Sequence, residues 1–340
     1  MLFFVIGIPG RFAEDCGTLT AALVRQKLGA AESTSGNTLE DIARIALSRG
    51  TGFAVVAARY PGGRVIRALT EAGRPFLVVL DDLRSGLAYL VCRQELSLAA
   101  AVQTLASGCA SIVCCAAMPQ ALVLRAEPAR EDWAATGVTI AHHLQLDVSQ
   151  REIADVVRCA VASSDRETLD ASAWWHGLDK SERAIAGGAL DAYRDLATTR
   201  SPGTITWASE LFFTGDRPQQ RVTGEIDITG RGRCLLSGPR ILLPPATWSL
   251  TAALDISPDA AEHGFVLEAS AGAALSRTVI RPGAGGLVEA NLSIALAELS
   301  DEPVELRLYN ERPAFGGHVS LHHVTAVPQH AAGEGVPEIG

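Results

Sequence analysis

Phe3-Phe4-Val5-Ile6-Gly7-Ile8-Pro9-Gly10-Arg11-Phe12-Ala13-Glu14-Asp15-Cys16-Gly17-Thr18-Leu19 decides how the N-terminal half is read. An apolar run ends in Gly-x-Pro-Gly and a helical pattern begins near Thr18, which predicts strand, turn and helix. In open α/β sheets, phosphates bind at such a turn. Backbone N–H groups and the positive end of the helix dipole converge there, and glycines let a ligand approach the chain. Two features run against that use. Glu14 and Asp15 stand inside the expected turn, and no Lys-Ser/Thr follows the glycine.

Working outward, residues 53–58 and 76–80 read as buried parallel strands, short, apolar and partly β-branched, and the second ends in Asp81-Asp82. Helical patterns are expected over 18–28, 65–72, 85–94 and 96–106, and from 38 to Gly50, where Thr38-Leu39-Glu40-Asp41 resembles a capping box. Residues 31–37 read as a loop. The apolar run 109–117 is readable as strand or helix, whereas 121–125 reads as a strand. Helical patterns return from 131 to 162 and over 180–197. Strands alternating with helices imply a parallel sheet flanked by helices.

From residue 204 the chain changes to short alternating runs separated by Gly, Pro and Asp: 204–213, 224–229, 234–243, 247–256, 265–270, 274–280, 287–296, 304–310 and 319–327. Eight or nine such strands make a two-layer jelly-roll β-sandwich. The expected fold class is therefore α/β plus all-β. The α/β domain covers 1–197, a linker 198–203, the sandwich 204–328 and a loose tail 329–340.

A chain of 340 residues suits two domains, and 48% hydrophobic with 20% charged residues marks a globular protein. The net charge is −9 with 29 scattered basic residues, a balance that excludes non-specific nucleic-acid binding. No apolar run is read as reaching the ~18 residues of a membrane span. Residues 2–8 lack a basic flank and a small-residue cleavage site, so they read as a first strand, and a cytoplasmic location is expected. The seven cysteines are unevenly spaced and suggest neither a disulfide framework nor a zinc site.

Three pieces of the first half resemble the bacterial sulfotransferase family, a branch of the P-loop fold. Phe4-Val5-Ile6-Gly7-Ile8-Pro9 followed by Gly17-Thr18-Leu19 resembles that family's first strand and Gly-x-Pro-[Lys/Arg]-Ser-Gly-Thr-Thr loop. Leu77-Val78-Val79-Leu80-Asp81-Asp82-Leu83-Arg84 resembles the strand leading into Arg-Asp-Pro-Arg-Asp. Leu122-Val123-Leu124-Arg125-Ala126-Glu127, with Asp132, Thr136, His143-Leu144 and Leu146, resembles a third block of the family. The resemblance spans about residues 2–160. It implies phosphoadenosine phosphosulfate as donor, held by Gly7, Gly10, Arg11, Gly17 and Thr18 with help from Arg84.

This chain departs from the pattern where the family does its chemistry. Phe12 to Cys16 read as an insertion in the loop, Asp81 stands where the family places an arginine for the nucleotide's 3′-phosphate, and Tyr89 replaces an expected serine. A carboxylate about 4 Å from a phosphate oxygen costs ~1 kcal/mol in water and ~4 at an effective dielectric near 20. The expectation is therefore a degenerate, non-catalytic protein that binds no cofactor and acts in binding or assembly during bacterial polysaccharide production. The alternative is an active sulfotransferase with a rebuilt loop that modifies a glycan acceptor.

In the second half, Ser237-Gly238-Pro239-Arg240-Ile241-Leu242-Leu243-Pro244-Pro245-Ala246-Thr247-Trp248 resembles the start of β-sandwich modules attached to bacterial glycan-synthesis proteins, which are similar to carbohydrate-binding modules. Partners implied are a glycan, polysaccharide-synthesis proteins or a second copy of the chain. Tyr309 and Phe315, beside the Asn310-Glu311-Arg312 loop, are the candidates for sugar contact. Trp248, Leu250 and Ala252 share a strand face and read as core.

Other chemistry-bearing groups have plainer readings beside sharper ones. Asp81-Asp82 can be a magnesium site or a strand-end cap, and Glu40 and Asp41 can be general bases or helix-start acids. His142-His143 diverge on a helix and His322-His323 point to opposite faces of a strand, so neither pair is expected to hold a metal. Trp174-Trp175 with His176 can stack on a sugar or pack a domain junction.

Overall fold

The computed structural model describes residues 1–49, 52–160, 169–194, 202–217 and 219–329. The expected helix ends at 162 and 197, most of the linker and the tail from 330 lie outside the described residues. The chain divides into two compact units. One comprises Met1–Arg200 with Ile241–Leu243 and Leu299–Pro303, and the other the remainder.

In chain order the first unit carries β1 (Leu2–Gly7), α1 (Arg11–Leu28), β2 (Ala31–Ser35), α2 (Leu39–Arg49), β3 (Phe53–Ala58), α3 (Gly63–Ala72), β4 (Phe76–Leu80), α4 (Leu83–Cys92) and α5 (Leu98–Ala116). It continues with β5 (Ala121–Arg125), α6 (Ala126–Glu131), α7 (Trp133–His143), α8 (Gln150–Ala160), α9 (Ala171–Gly177) and α10 (Lys180–Leu190). The strands form one parallel sheet in the order β2-β3-β1-β4-β5.

Alternation along β1 sorts its side chains between the two faces. Phe3 and Val5 join Leu77 and Val79 under Phe12, Leu19 and Leu23 of α1 and Ile140 of α7. Leu2 and Phe4 pack with Val56 of β3 and Ile45 of α2.

Five sequence expectations are corrected in this unit. Helix α1 starts at Arg11, not near Thr18, so Phe12 to Cys16 are its first turns and no loop insertion exists. Residues 31–35 form β2 rather than loop. The strand is polar because it lies at the sheet edge beside β3 alone. Residues 98–116 are one continuous helix that passes through Gly108, where a Cβ would stand 2.8 Å from the Arg59 carbonyl oxygen. By length and composition this helix is apolar enough to cross a membrane, contrary to the run-length expectation, and 61% of its most apolar window is buried in the unit. Finally, α10 ends at Leu190 and a single 3₁₀ turn, Asp191–Tyr193, follows it.

The second unit carries β6 (Ile205–Ala208), β7 (Phe213–Thr214), β8 (Ile226–Asp227), β9 (Cys234–Ile241), β10 (Ala246–Ile256), β11 (Phe265–Ala271), β12 (Ala273–Ile280), β13 (Gly286–Leu296), β14 (Val304–Asn310) and β15 (His318–Gln329). They form two antiparallel sheets, β13-β10-β15-β6 with β8 beside β15, and β12-β11-β14-β9-β7. The predicted run 204–213 is broken by a 3₁₀ turn at Ser209–Leu211, which sends β6 and β7 to different sheets. Trp207, Trp248, Phe212 and Phe265 are fully buried, and Trp248 Nε1 donates to the Pro244 carbonyl at 3.1 Å.

The histidine pair on β15 needs a second correction. Register slips by one between Ala253 and Leu254, so Leu321 and Val324 are both buried while His322 and His323 are both exposed. A β-bulge has placed the two rings outside, instead of one on each face.

Candidate functional site

The crevice at the carboxyl ends of β1, β4 and β5 is where an open parallel sheet offers its ligand site. Helix α1 leaves β1 toward the face packed by α7 and α8. Helix α4 leaves β4 toward the face packed by α5 and α9, so the two helices diverge. Gly86 allows α4 to approach, since a Cβ there would stand 2.6 Å from Ile8 Cγ2 and 3.1 Å from the Pro9 carbonyl oxygen. A cavity of about 520 Å³ opens beside this contact, and Ile8, Asp81, Arg84, Arg130, Trp175 and Tyr193 are among the residues that line it.

The charges around the start of α1 are matched within the protein. Asp81 follows β4 directly and its side chain is almost wholly buried. It pairs with Arg130 of α6 at 2.8 Å, and its Oδ2 lies 3.6 Å from where a Cβ on Gly10 would stand. Gly10 is the N-cap of α1 and supplies no side-chain cap, so the nearby carboxylate meets the positive end of the helix. Burial pushes Asp81 above the usual carboxylate range, against the pull of Arg130 and a hydrogen bond from the Asp82 N–H. One turn into α1, Arg11 Nε lies 3.3 Å from Asp15 Oδ2, and burial likewise raises Asp15. Glu14 accepts a close hydrogen bond from the Tyr89 hydroxyl.

Gly7 and Gly10 belong to β1 and the turn after it. Gly7 is required by strand packing, because a Cβ there would lie 2.7 Å from the Val79 carbonyl oxygen. Arg11 opens α1 with Asp15 as its partner. Arg84 lines the cavity, with its Cζ 4.7 Å from the Trp175 ring centroid. Gly17 and Thr18 lie in the second turn of α1, about 9–10 Å along it at 1.5 Å per residue. Thr18 lines a different groove, with Arg25, Ser33 and Glu152. The structure therefore does not bring Gly17 and Thr18 to the turn, which corrects the reading of them as part of a phosphate cradle. A phosphosulfate group would meet two carboxylates at this helix start, and the residues present do not fit that group.

Several motif residues do structural work. Asp82 caps α4 by accepting from the Ser85 N–H at 2.9 Å, and Asp132 caps α7 by accepting from the Ala135 N–H at 2.9 Å. Thr136 donates to the Ala129 carbonyl, and His143 Nε2 lies 3.2 Å and 3.0 Å from the carbonyls of Phe76 and Gln120. Asp41 and Thr38 cap α2 reciprocally, while Glu40 pairs with Arg64 at 3.0 Å. Among the described residues no group of three or more His, Cys, Asp or Glu is placed to hold a metal. Sequence reasoning missed Arg130 and Tyr193, which reach the cavity from α6 and from the turn after α10. Arg130 is tied to the opening stretch by its contact with Phe12, 5.3 Å from Cζ to ring centroid, and by its charge acting on Asp15.

The second unit has its own groove, about 350 Å³, lined by Val266, Glu268, Arg277, Tyr309 and Glu311. Tyr309 lies across the ladder from Val266. Burial pushes the phenol above its ordinary range, against the downward pull of the Arg307 charge. Arg277 and Glu311 approach to 3.9 Å at the same groove. Phe315, in the connection from β14 to β15, is fully exposed and is not among the groove's lining residues.

No family model and no curated protein matches this sequence. Among solved structures the chain is similar to mouse sulfotransferase SULT7A1 complexed with PAP, at 14% identity over 58% of this chain and 88% of that one, TM-score 0.39. It is similar to the C-terminal CBM6 of LamC, a laminarinase of Zobellia galactanivorans, at 12% identity over 36% and 98%, TM-score 0.26. It is also similar to CsCBM6-3 of Clostridium stercorarium in complex with cellobiose, at 12% identity over 36% and 93%, TM-score 0.24. The fold is a helix-flanked parallel sheet followed by an antiparallel sandwich.

Proposed function

We propose that this protein is a non-catalytic binding or assembly component of bacterial polysaccharide production, in which a sulfotransferase-like domain has given up its donor and the sandwich contacts a glycan. The observation that carries the first half is the Asp81 carboxylate, buried against Gly10 and held by Arg130 where a donor phosphate would have to lie. The second half is supported by Tyr309, an aromatic ring in a polar groove between two carboxylates and an arginine, a combination suited to the apolar face and hydroxyl rim of a sugar.

Calorimetry of the full chain with adenosine 3′,5′-bisphosphate tests the first half, and the expected result is no binding. Micromolar affinity in the wild type that disappears in Arg11→Ala and Arg84→Ala would reverse it. A glycan array tests the second half, and light scattering shows whether the protein partners itself. An active transferase is the second reading, favoured by the cavity with Arg84 and Trp175, which has room for a small ligand. Sulfate transfer to a glycan acceptor from phosphoadenosine phosphosulfate would establish it.

A further inference from the structure

On the second unit, β7, β9 and β14 lie side by side, with Phe213 on β7 and Arg221 bridged to it. Arg221 Cζ lies 4.0 Å from the centroid of the Phe213 ring and Arg240 Cζ lies 5.2 Å from it, so two guanidinium groups share one aromatic side chain. Glu305 serves two arginines at once, accepting from Arg240 Nε at 3.0 Å and standing in close contact with Arg307. Arg307 has Glu268 opposite it in the ladder, and Glu305 is shared between Arg240 and Arg307.

Three further features single this cluster out. Arg221 donates to the Leu211 carbonyl at 3.0 Å, and burial beside Arg240 holds its pKa below the ordinary guanidinium value. Arg240 has a φ of 61°, a left-handed conformation that costs any residue but glycine, and strain of this kind collects at binding sites. The chain as a whole is acidic, at −9, so paired arginines on an open sheet face run against its general charge. Planar guanidinium forks are well matched to carboxylate and sulfate oxygens.

We propose that Arg221 and Arg240, stationed on Phe213, form an oxyanion site that takes the carboxylate or sulfate ester of an anionic saccharide. The saccharide part rests on the glycan reading given above, whereas the oxyanion part rests on the arginine geometry.

Calorimetry on the full chain separates the two, with a galacturonate trisaccharide, a sulfated galactose trisaccharide and the neutral galactose trisaccharide as probes. The expected result is that at least one acidic probe binds about tenfold or more tightly than the neutral one. Arg221→Gln and Arg240→Gln should each remove that advantage and leave neutral binding unchanged, while Arg240→Lys should keep part of it. The two acidic probes distinguish carboxylate from sulfate. Thermal melting checks the fold of each variant, and if Arg221→Gln does not fold, the more exposed Arg240 carries the test. Equal affinity for acidic and neutral probes, or acidic binding untouched by Arg240→Gln, overturns the oxyanion site and leaves the glycan reading standing. Binding of none of the three overturns this proposal, and an array without any positive glycan removes the glycan reading as well.

Discussion

Arg130 Nη2 lies 2.8 Å from Asp81 Oδ2, and the same guanidinium stands over the ring of Phe12. One side chain thus fastens the end of β4 to the first turn of α1, the two elements that flank the crevice of the parallel sheet. The helix start, which in open α/β folds receives a ligand's anion, here faces an anion of the protein itself. A second anion brought to the same place would be repelled by a carboxylate already desolvated.

That desolvation makes the stability of the protein respond to pH through Asp81. Its pKa is raised in the folded state, so its favourable contribution is complete below the unfolded carboxylate pKa, about 3.9, and is lost as pH rises through the higher folded value. Asp81→Asn does not titrate. The melting temperature of the wild type minus that of Asp81→Asn should therefore fall as the pH is raised over the interval that begins at about 4. A difference that rises over this interval would show that the Arg130 ion pair outweighs burial.

Two glycines of the opening stretch should respond oppositely to the same replacement. Gly7→Ala drives a methyl group to 2.7 Å from the Val79 carbonyl and should destabilise the protein by about 1–3 kcal/mol in urea unfolding. Gly17 lies within α1 with its nearest neighbour, Ser33 Oγ, 3.9 Å from an added Cβ. Gly17→Ala should stabilise by about 0.5–1 kcal/mol, through the lower entropy cost of alanine in a helix. A loss of stability on Gly17→Ala would place that residue outside a regular helix.

The misreading of Gly17 shows what the sequence made legible. The apolar runs at 2–7, 53–58 and 76–80 disclosed the parallel sheet, because strands buried on both faces have little other way to be written. A glycine followed by threonine reads as a turn, but Glu14 and Asp15 already carried the opposite message, since acids gather in the first turn of a helix. The edge strand β2 was hidden by its polar residues, and the length of α5 by Gly108, which answers to the nearby Arg59 carbonyl rather than to a turn. Arg130 and Tyr193 join the crevice only through the fold, and no spacing in the chain announces them. In the sandwich, alternation showed the strands well, yet the bulge that turns both His322 and His323 outward depends on pairing with β10, which a single strand does not reveal.

Asp82 separates a structural reading from a metal reading. It accepts from the Ser85 N–H at the start of α4, so Asp82→Ala should cost about 1 kcal/mol, and Asp82→Ser should recover most of it. Magnesium should leave the melting temperature of wild type and variants unchanged. A rise with millimolar magnesium that Asp82→Ser abolishes would show that the carboxylate binds the ion.

Phe315 and Tyr309 make the sharpest contrast on the sandwich. Phe315 is fully exposed, so Phe315→Ser removes no intramolecular packing and should leave unfolding within ±0.5 kcal/mol of wild type. Tyr309 is partly buried beside Val266, so its replacement by phenylalanine keeps the ring and removes only the hydroxyl. If the groove holds a sugar by stacking, Tyr309→Phe should keep most of the glycan-array signal. Tyr309→Ala should lose about tenfold, as expected when an aromatic contact of about 1–1.5 kcal/mol disappears. Phe315→Ser tests the other aromatic without disturbing the fold, and a reduced signal would place it on the glycan as well. An unchanged signal would leave sugar contact to Tyr309 and the groove around it. An array signal indifferent to both Tyr309→Ala and Phe315→Ser would move the glycan to another face of the sandwich.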